Sequence, residues 1–200
     1  MQVDLLVLNY NGRSLLEECL PSIVAAATAS RHSCQVTVVD NDSTDDSLAW
    51  LRAHYPHVGI LHCRNEGLCS FNRALEQSTA PVALLLNNDI TLAADAIDPW
   101  EEPLAAGQRP LTLADWPHGF GGSEPCFMSA PLCWQRDGRT LEGFKTAIRW
   151  RWGLVQATGQ FDGAYQVCTQ SGDTASAGAA IAVDRKRFLE LGGFDPRYLP

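Results

Sequence analysis

The sequence predicts an α/β fold, a three-layer sandwich with a mostly parallel central sheet and helices on both faces. Three observations carry this. Short apolar runs alternate with stretches of helical periodicity through the first ninety residues, in the order β-α-β-α-β-α-β. Each apolar run ends in polar groups, as "VALLLNNDI" (82–90) does in Asn87, Asn88 and Asp89. Near the end of the chain the same strand-then-helix pattern returns in "SAGAAIAVDRKRFLELGG".

The elements follow in order. "VDLLVL" (3–8) reads as a buried strand ended by the polar "NYNG". Ser14 and Glu17 form a Ser-x-x-Glu capping box, and behind it Leu15, Leu16, Cys19, Leu20, Ile23 and Val24 share one helical face. "QVTVVD" (35–40) is the second strand. "STDDSLAWLRAHYP" opens the second helix with Ser43 or Thr44 as its cap, and Pro56 limits it. "VGILHC" (58–63) is the third strand. "NEGLCSFNRALEQS" is the third helix, with Leu68, Phe71 and Leu75 at spacings of three and four. "PVALLL" (81–86) is the fourth strand, and the sheet order expected for this succession is 3-2-1-4. Residues 100–175 lack clean periodicity and hold five of the six tryptophans. "SAGAAIAVD" (176–184) is a further strand, followed by a short helix with Asp184 as cap and Gly192 as stop.

Composition bounds the function. Two hundred residues suit one domain, 1–200, with residues 100–200 as its less regular second half. A formal charge of −8 argues against nucleic acid as a partner. The seven cysteines are odd in number and form no Cys-x-x-Cys, so reduced thiols in a cytoplasmic protein are expected rather than a disulfide framework or zinc site. Asp4 interrupts any leader at the start, and no apolar run reaches the length of a membrane span.

In an open parallel sheet, ligands bind beyond the carboxyl ends of the strands. Here those ends carry Asn9, Tyr10 and Asn11; Asp40, Asn41 and Asp42; Arg64, Asn65 and Glu66; and Asn87, Asn88 and Asp89. Turns and helix caps also favour Asn and Asp, which accounts for Ser43, Thr44 and Asp42 but poorly for four strands ending alike. No Walker loop and no Gly-x-Gly-x-x-Gly follows the first strand. Phosphate charge must then be met in another way, most simply by a divalent cation on Asp89, while Asp40 is placed to accept hydrogen bonds from a base or ribose.

"LVLNYNG", "VVDNDSTDDS", "NEGLCSFNRAL", "LLLNND" and "SAGAAIAVDRKRFLELGGFD" together resemble the family-two inverting glycosyltransferases of GT-A fold. The resemblance covers nearly all of 1–100 and then 174–196. It implies transfer of a sugar from a nucleoside-diphosphate sugar to a saccharide or lipid-linked acceptor. It implies that Asn9, Tyr10, Asn11, Asn65, Asn72 and Asn88 line the nucleotide-sugar pocket and that Asp40 contacts the base. Asn87-Asn88-Asp89 stands for the family's Asp-x-Asp motif, with Asp89 and Asn87 reaching Mg²⁺ or Mn²⁺. Residues 1–99 form the nucleotide-sugar-binding half; Gly178 to Ala180 flank the acceptor side.

This chain departs from the family at Asp42, where glycine is usual, and in "LCSFN", where small residues are usual. The general base belongs to an acidic pair beyond "GGFD", and the sequence ends at Pro200 before one. Asp195 and Asp173 are the nearest acids, each better read as a turn or cap residue, so the catalytic residue is unassigned and the acceptor-side half is expected to be incomplete. A binding module without turnover and a sugar-1-phosphate nucleotidyltransferase are the rival readings. "IRWRWG" (148–153) reads as an amphipathic strand or helix, with peripheral membrane contact the other possibility. "WPHGFGG" (116–122) reads equally as a flap or an ordinary loop. The five histidines share no metal-ligand spacing.

Overall fold

The first strand, β1 (Gln2–Asn9), is apolar on both sides: Val3, Leu5 and Val7 enter one core and Leu6 another. A strand buried twice needs a layer of helices on each face. The computed structural model, which describes residues 2–97, 128–129, 146–152, 154–160, 174–175 and 180–198, shows how the chain supplies them. On one face α1 (Arg13–Ala29) packs Leu16, Leu20, Ile23 and Ala26, and α2 (Ser47–His54) adds Trp50 and Leu51. On the other, α3 (Ser70–Gln77) supplies Phe71 and Leu75, and α4 (Arg185–Glu190) supplies Phe188.

Between the layers lie β2 (Ser33–Asn41), β3 (Gly59–Cys63), β4 (Val82–Asn87), β5 (Met128–Ser129) and β9 (Ala180–Asp184). Among the described residues the sheet has six strands in the order β3-β2-β1-β4-β9-β5. The first four are parallel, as the sequence order 3-2-1-4 requires, and β9 runs antiparallel between β4 and β5. A second sheet, of β6 (Thr146–Arg151), β7 (Leu154–Gln160) and β8 (Thr174–Ala175), is antiparallel and ordered β7-β6-β8. Residues 148–152 of "IRWRWG" thus fall on a strand and its turn, where Trp152 is exposed. "WPHGFGG", Asp173, Gly178 and Ala179 lie outside the described residues.

The helices α1 and α2 cover one face and α3 the other, so strand order reverses between β1 and β4. That reversal opens a crevice at the carboxyl ends of these two strands. The register brings Asn9 opposite Asp40, Asp40 opposite His62, and Leu8 opposite Asn87.

Three local expectations are corrected. α1 begins at Arg13, with Gly12 as its cap residue, so Ser14 is inside the helix and Glu17 pairs with Arg13 at 2.8 Å instead of closing a capping box. The Arg13 N–H is met by Asp45 Oδ2 at 3.0 Å, a partner supplied by a different loop. α2 begins at Ser47, not after Ser43 or Thr44; Asp45 accepts from both the N–H and the hydroxyl of Ser47. Leu68 is exposed, because residues Gly67–Cys69 form a 3-10 turn before α3. The cap at Asp184 is as expected, its carboxylate accepting from Arg187 N at 3.0 Å.

One contact ties the end of the described chain to the sheet's carboxyl rim. Asn72 Nδ2 donates to Phe194 O at 2.8 Å, and Phe194 N donates to Asn72 Oδ1 at 2.9 Å. The preceding Gly193 has φ +66°, and a Cβ there would lie 2.3 Å from Asn72 Oδ1. Both the backbone and the close approach demand glycine. Gly193→Ala should therefore lower the unfolding free energy by about 1–3 kcal/mol. Urea denaturation checks this; an unchanged midpoint contradicts the clamp.

Candidate functional site

The carboxyl ends of four adjacent strands carry a row of polar side chains bonded to one another. Asn88 Nδ2 donates to Asn9 Oδ1 at 2.8 Å, across the crevice between β4 and β1. Asn9 Nδ2 donates to Asp40 Oδ1 at 3.0 Å and also reaches Ser43 Oγ at 3.2 Å. His62 Nδ1 lies 3.0 Å from Asp40 Oδ2, which also accepts from Ser43 N at 3.1 Å. Parallel pairing in register produces this row: equivalent positions on neighbouring strands stand side by side. Gly12 closes over it, since a Cβ there would meet Asn88 Nδ2 at 2.1 Å and Asn9 Oδ1 at 2.6 Å.

Asn9 and Asp40 are both fully buried. A buried carboxylate costs several kcal/mol unless its oxygens are hydrogen-bonded. Burial pushes the Asp40 carboxyl up, but the Ser43 hydroxyl, Asn9, the Ser43 N–H and His62 together outweigh it and hold the group below the ordinary aspartate range. Asp40 is therefore held as an anion, with Oδ1 accepting from Asn9, Oδ2 accepting from Ser43 N, and His62 Nδ1 beside Oδ2.

The loops around the row are braced in the same way. Asn11 has φ +48°, and its Oδ1 accepts from Thr44 N at 2.7 Å and Asp45 N at 3.2 Å. Asn11 N donates to Ser43 Oγ at 2.9 Å. Asp42, at φ +63°, also holds left-handed backbone, which accounts for a glycine serving as well at this position. Tyr10 is exposed on the rim.

The site residues expected from the sequence divide into two groups. Asn9, Asp40 and Asn88 are joined directly, with Asn11 bracing the adjoining loop. Asn65 is exposed, its Oδ1 accepting from Gly67 N at 3.1 Å. Asn72 uses both atoms of its amide on the Phe194 backbone. Asp40 is buried, with Asn9, Ser43 and His62 against its carboxylate. His62, not singled out in the sequence, completes the row; only the β2–β3 register reveals it.

Asn87 ends β4 and Asp89 stands exposed just beyond it, with no hydrogen bond or ion pair among the described residues. No group of three or more His, Cys, Asp or Glu side chains able to hold a cation occurs among the described residues. The donor set is one free carboxylate with amide oxygens beside it. Such a set fits a hard divalent cation whose remaining ligands are phosphate oxygens and water. Asp195, by contrast, is held in a forked contact by Arg197 (2.9 and 2.6 Å to Oδ2), which keeps its carboxyl below the ordinary range and makes it a weak proton acceptor.

A doubly wound sheet with a polar rim at its switch point defines a nucleotide-binding type of α/β protein. The chain belongs to a family of glycosyltransferases: the sequence model of glycosyl transferase family 2 matches residues 4–158. The match runs through residues 101–158, where no motif was recognisable, and stops short of "GGFD". No curated protein matches the chain. Among solved structures it is similar to Staphylococcus aureus TarS 1-349 (24% identity, 48% of this chain and 30% of that one, TM-score 0.43). It is also similar to mannosyltransferase PcManGT from Pyrobaculum calidifontis, in complex with GDP-Man and Mn²⁺ (26%, 46% and 29%, 0.40). A third is glucosyl-3-phosphoglycerate synthase from Mycobacterium tuberculosis (14%, 47% and 36%, 0.38). The chain spans about a third of the length of these three.

Because the folded Asp40 carboxyl titrates below its unfolded value, it stabilises the protein above the ordinary aspartate pKa, and this contribution is lost as pH falls through the depressed folded value. Asp40→Asn should cost at least about 2 kcal/mol at neutral pH, the worth of charge-assisted hydrogen bonds. It should also flatten the acid limb of the stability profile. Thermal melts across the acid range check both; a variant as acid-sensitive as the parent contradicts the assignment.

Proposed function

We propose that the chain is the donor-binding part of a glycosyltransferase that takes a sugar from a nucleoside-diphosphate sugar and passes it, with inversion, to a saccharide or lipid-linked acceptor. The single observation behind this reading is the Asn88–Asn9–Asp40–His62 row at the switch point of a family 2 chain, with an unpaired Asp89 beside it.

Each residue then has a task. Tyr10 offers an exposed aromatic face to the base, and Asn65 lies on the loop after β3. Asn88 donates through Nδ2 to Asn9, which leaves its carbonyl oxygen for the donor. Asn11, Ser43 and Asp45 fix the loop backbones that shape the nucleotide's seat. Asp89 and Asn87 would hold Mg²⁺ or Mn²⁺ against the diphosphate, where the cation supplies Lewis-acid stabilisation of the leaving group. Asn72 acts at one remove, by holding the Phe194–Asp195 segment on the acceptor side. Residues 1–99 serve the donor and residues 100–200 the acceptor within one domain.

Asp195 is engaged by Arg197, and no described carboxylate is assigned as the general base. That observation favours a second reading, in which this stretch binds donor without turnover by itself. Product formation set against donor binding separates the two. No described helix is long and apolar enough to cross a membrane; a cytoplasmic site of action, with peripheral membrane contact open, is proposed from the odd number of cysteines without a Cys-x-x-Cys.

The test is a thermal-shift series with nucleoside diphosphates, with and without Mn²⁺. At about a hundred times its Kd, a bound diphosphate should add about 2.7 kcal/mol of stability when the metal is present. Asp89→Ala should remove the metal-dependent part and leave the ligand-free melting point unchanged, because Asp89 bonds to nothing in the described fold. Shifts indifferent to metal and to that substitution contradict the proposal.

A further inference from the structure

Away from the carboxyl rim, the connection between β6 and β7 carries a residue that its own turn does not favour. Arg151 pairs with Leu154, so the strands are joined by two residues, Trp152 and Gly153. A two-residue connection between antiparallel strands takes Asn-Gly most readily, because its first position needs left-handed backbone. Trp152 holds that backbone, at φ +59°. For a bulky aromatic residue such a conformation is strained.

Burial does not offset the strain. Trp152 is 84% exposed, whereas Trp50 is buried in the core. The guanidinium of Arg151, itself exposed, lies 5.9 Å from the Trp152 ring centroid. The hairpin thus presents an indole and a cation together, at a position where asparagine would suit the turn better.

Charge indicates what such a tip meets. The chain as a whole is acidic, with a formal charge of −8. Between Glu142 and Asp162, however, the sequence has no carboxylate and holds Lys145, Arg149 and Arg151. A cationic stretch with an exposed indole matches an anionic boundary between water and hydrocarbon. Arginine pairs with lipid phosphates, and an indole, apolar in body with one N–H, settles at headgroup depth. The acidic remainder of the chain is repelled by the same surface, which confines contact to the tip. We infer that the β6–β7 hairpin is a membrane-docking element: Trp152 enters the headgroup layer of an anionic bilayer and Arg151 pairs with its phosphates. One tip gives reversible attachment, not anchoring. The docking needs no nucleotide, so it does not rest on the donor reading; it adds a route to a lipid-linked acceptor.

The experiment is co-sedimentation of the full chain with vesicles of phosphatidylcholine, alone or with about a third phosphatidylglycerol. The parent should sediment with the anionic vesicles, not the neutral ones, and be released by about 0.5 M salt. Trp152→Asn should weaken binding about tenfold, the worth of partly burying one aromatic ring. Its melting point should not fall, because asparagine relaxes the turn. Trp152→Phe keeps a ring on the same backbone and should stay within about threefold of the parent. Arg151→Gln should cost about fivefold. A parent that ignores anionic vesicles or binds neutral ones equally overturns the inference. So does Trp152→Asn binding as the parent does, or Trp152→Phe binding no better than Trp152→Asn. Self-association of the parent without vesicles, abolished in Trp152→Asn, would assign the tip to a second copy of the chain and also overturn it. None of these outcomes touches the metal-dependent diphosphate shifts, which test donor binding separately.

Discussion

A buried carboxylate must be hydrogen-bonded on both oxygens or it will not stay ionised inside a protein, and Asp40 organises the carboxyl rim of this sheet around that requirement. Its donors come from three chain segments: Asn9 at the end of β1, Ser43 in the loop after β2 and His62 on β3. Asn9 in turn is also fully buried, and its oxygen is met by Asn88 from β4. Each group is satisfied only if its neighbour is in place, so the row sets the positions of four strand ends together. Networks of this kind are stiff when complete and expensive when broken.

The apolar layers make the row possible. Val3, Leu5 and Val7 anchor β1 from one face and Leu6 from the other, which leaves no freedom for the strand to slip. A one-residue shift would exchange the two faces and separate Asn9 from Asp40. Gly12 then brings the first turn of α1 over the Asn88–Asn9 bond at a distance no side chain permits. The switch point between β1 and β4 is thus a crevice with a fixed polar floor and, at Tyr10, Asp42, His62 and Asp89, an exposed rim.

Much of this was legible in the sequence, because it depends on local pattern. Apolar runs of strand length, periodic helices and polar strand ends gave the order β3-β2-β1-β4 and brought Asn9, Asp40 and Asn88 forward. What escaped depends on contacts between distant segments. Ser14 and Glu17 have the spacing of a capping box, yet Asp45 from another loop meets the helix's first N–H, and the helix starts earlier. Ser43 has the chemistry of a cap but serves Asp40 and Asn11 instead. His62 carries no local signal, and its importance appears only when β3 is laid beside β2 in register. Asn72 was placed at the pocket by the resemblance alone, and its two bonds to the Phe194 backbone, 122 positions away, have no local signal in the sequence.

The central claim is that this rim is one connected polar surface made for a nucleoside diphosphate. Side-chain amide and imidazole NMR signals report on it directly, during a titration with UDP or GDP in the presence of Mg²⁺. The account predicts slow solvent exchange of the buried Asn9 amide protons before ligand is added, and ligand-induced shifts concentrated on Asn88, Asn9 and His62. Rapidly exchanging Asn9 protons, or shifts gathered at the opposite end of the sheet around Arg185, would contradict it.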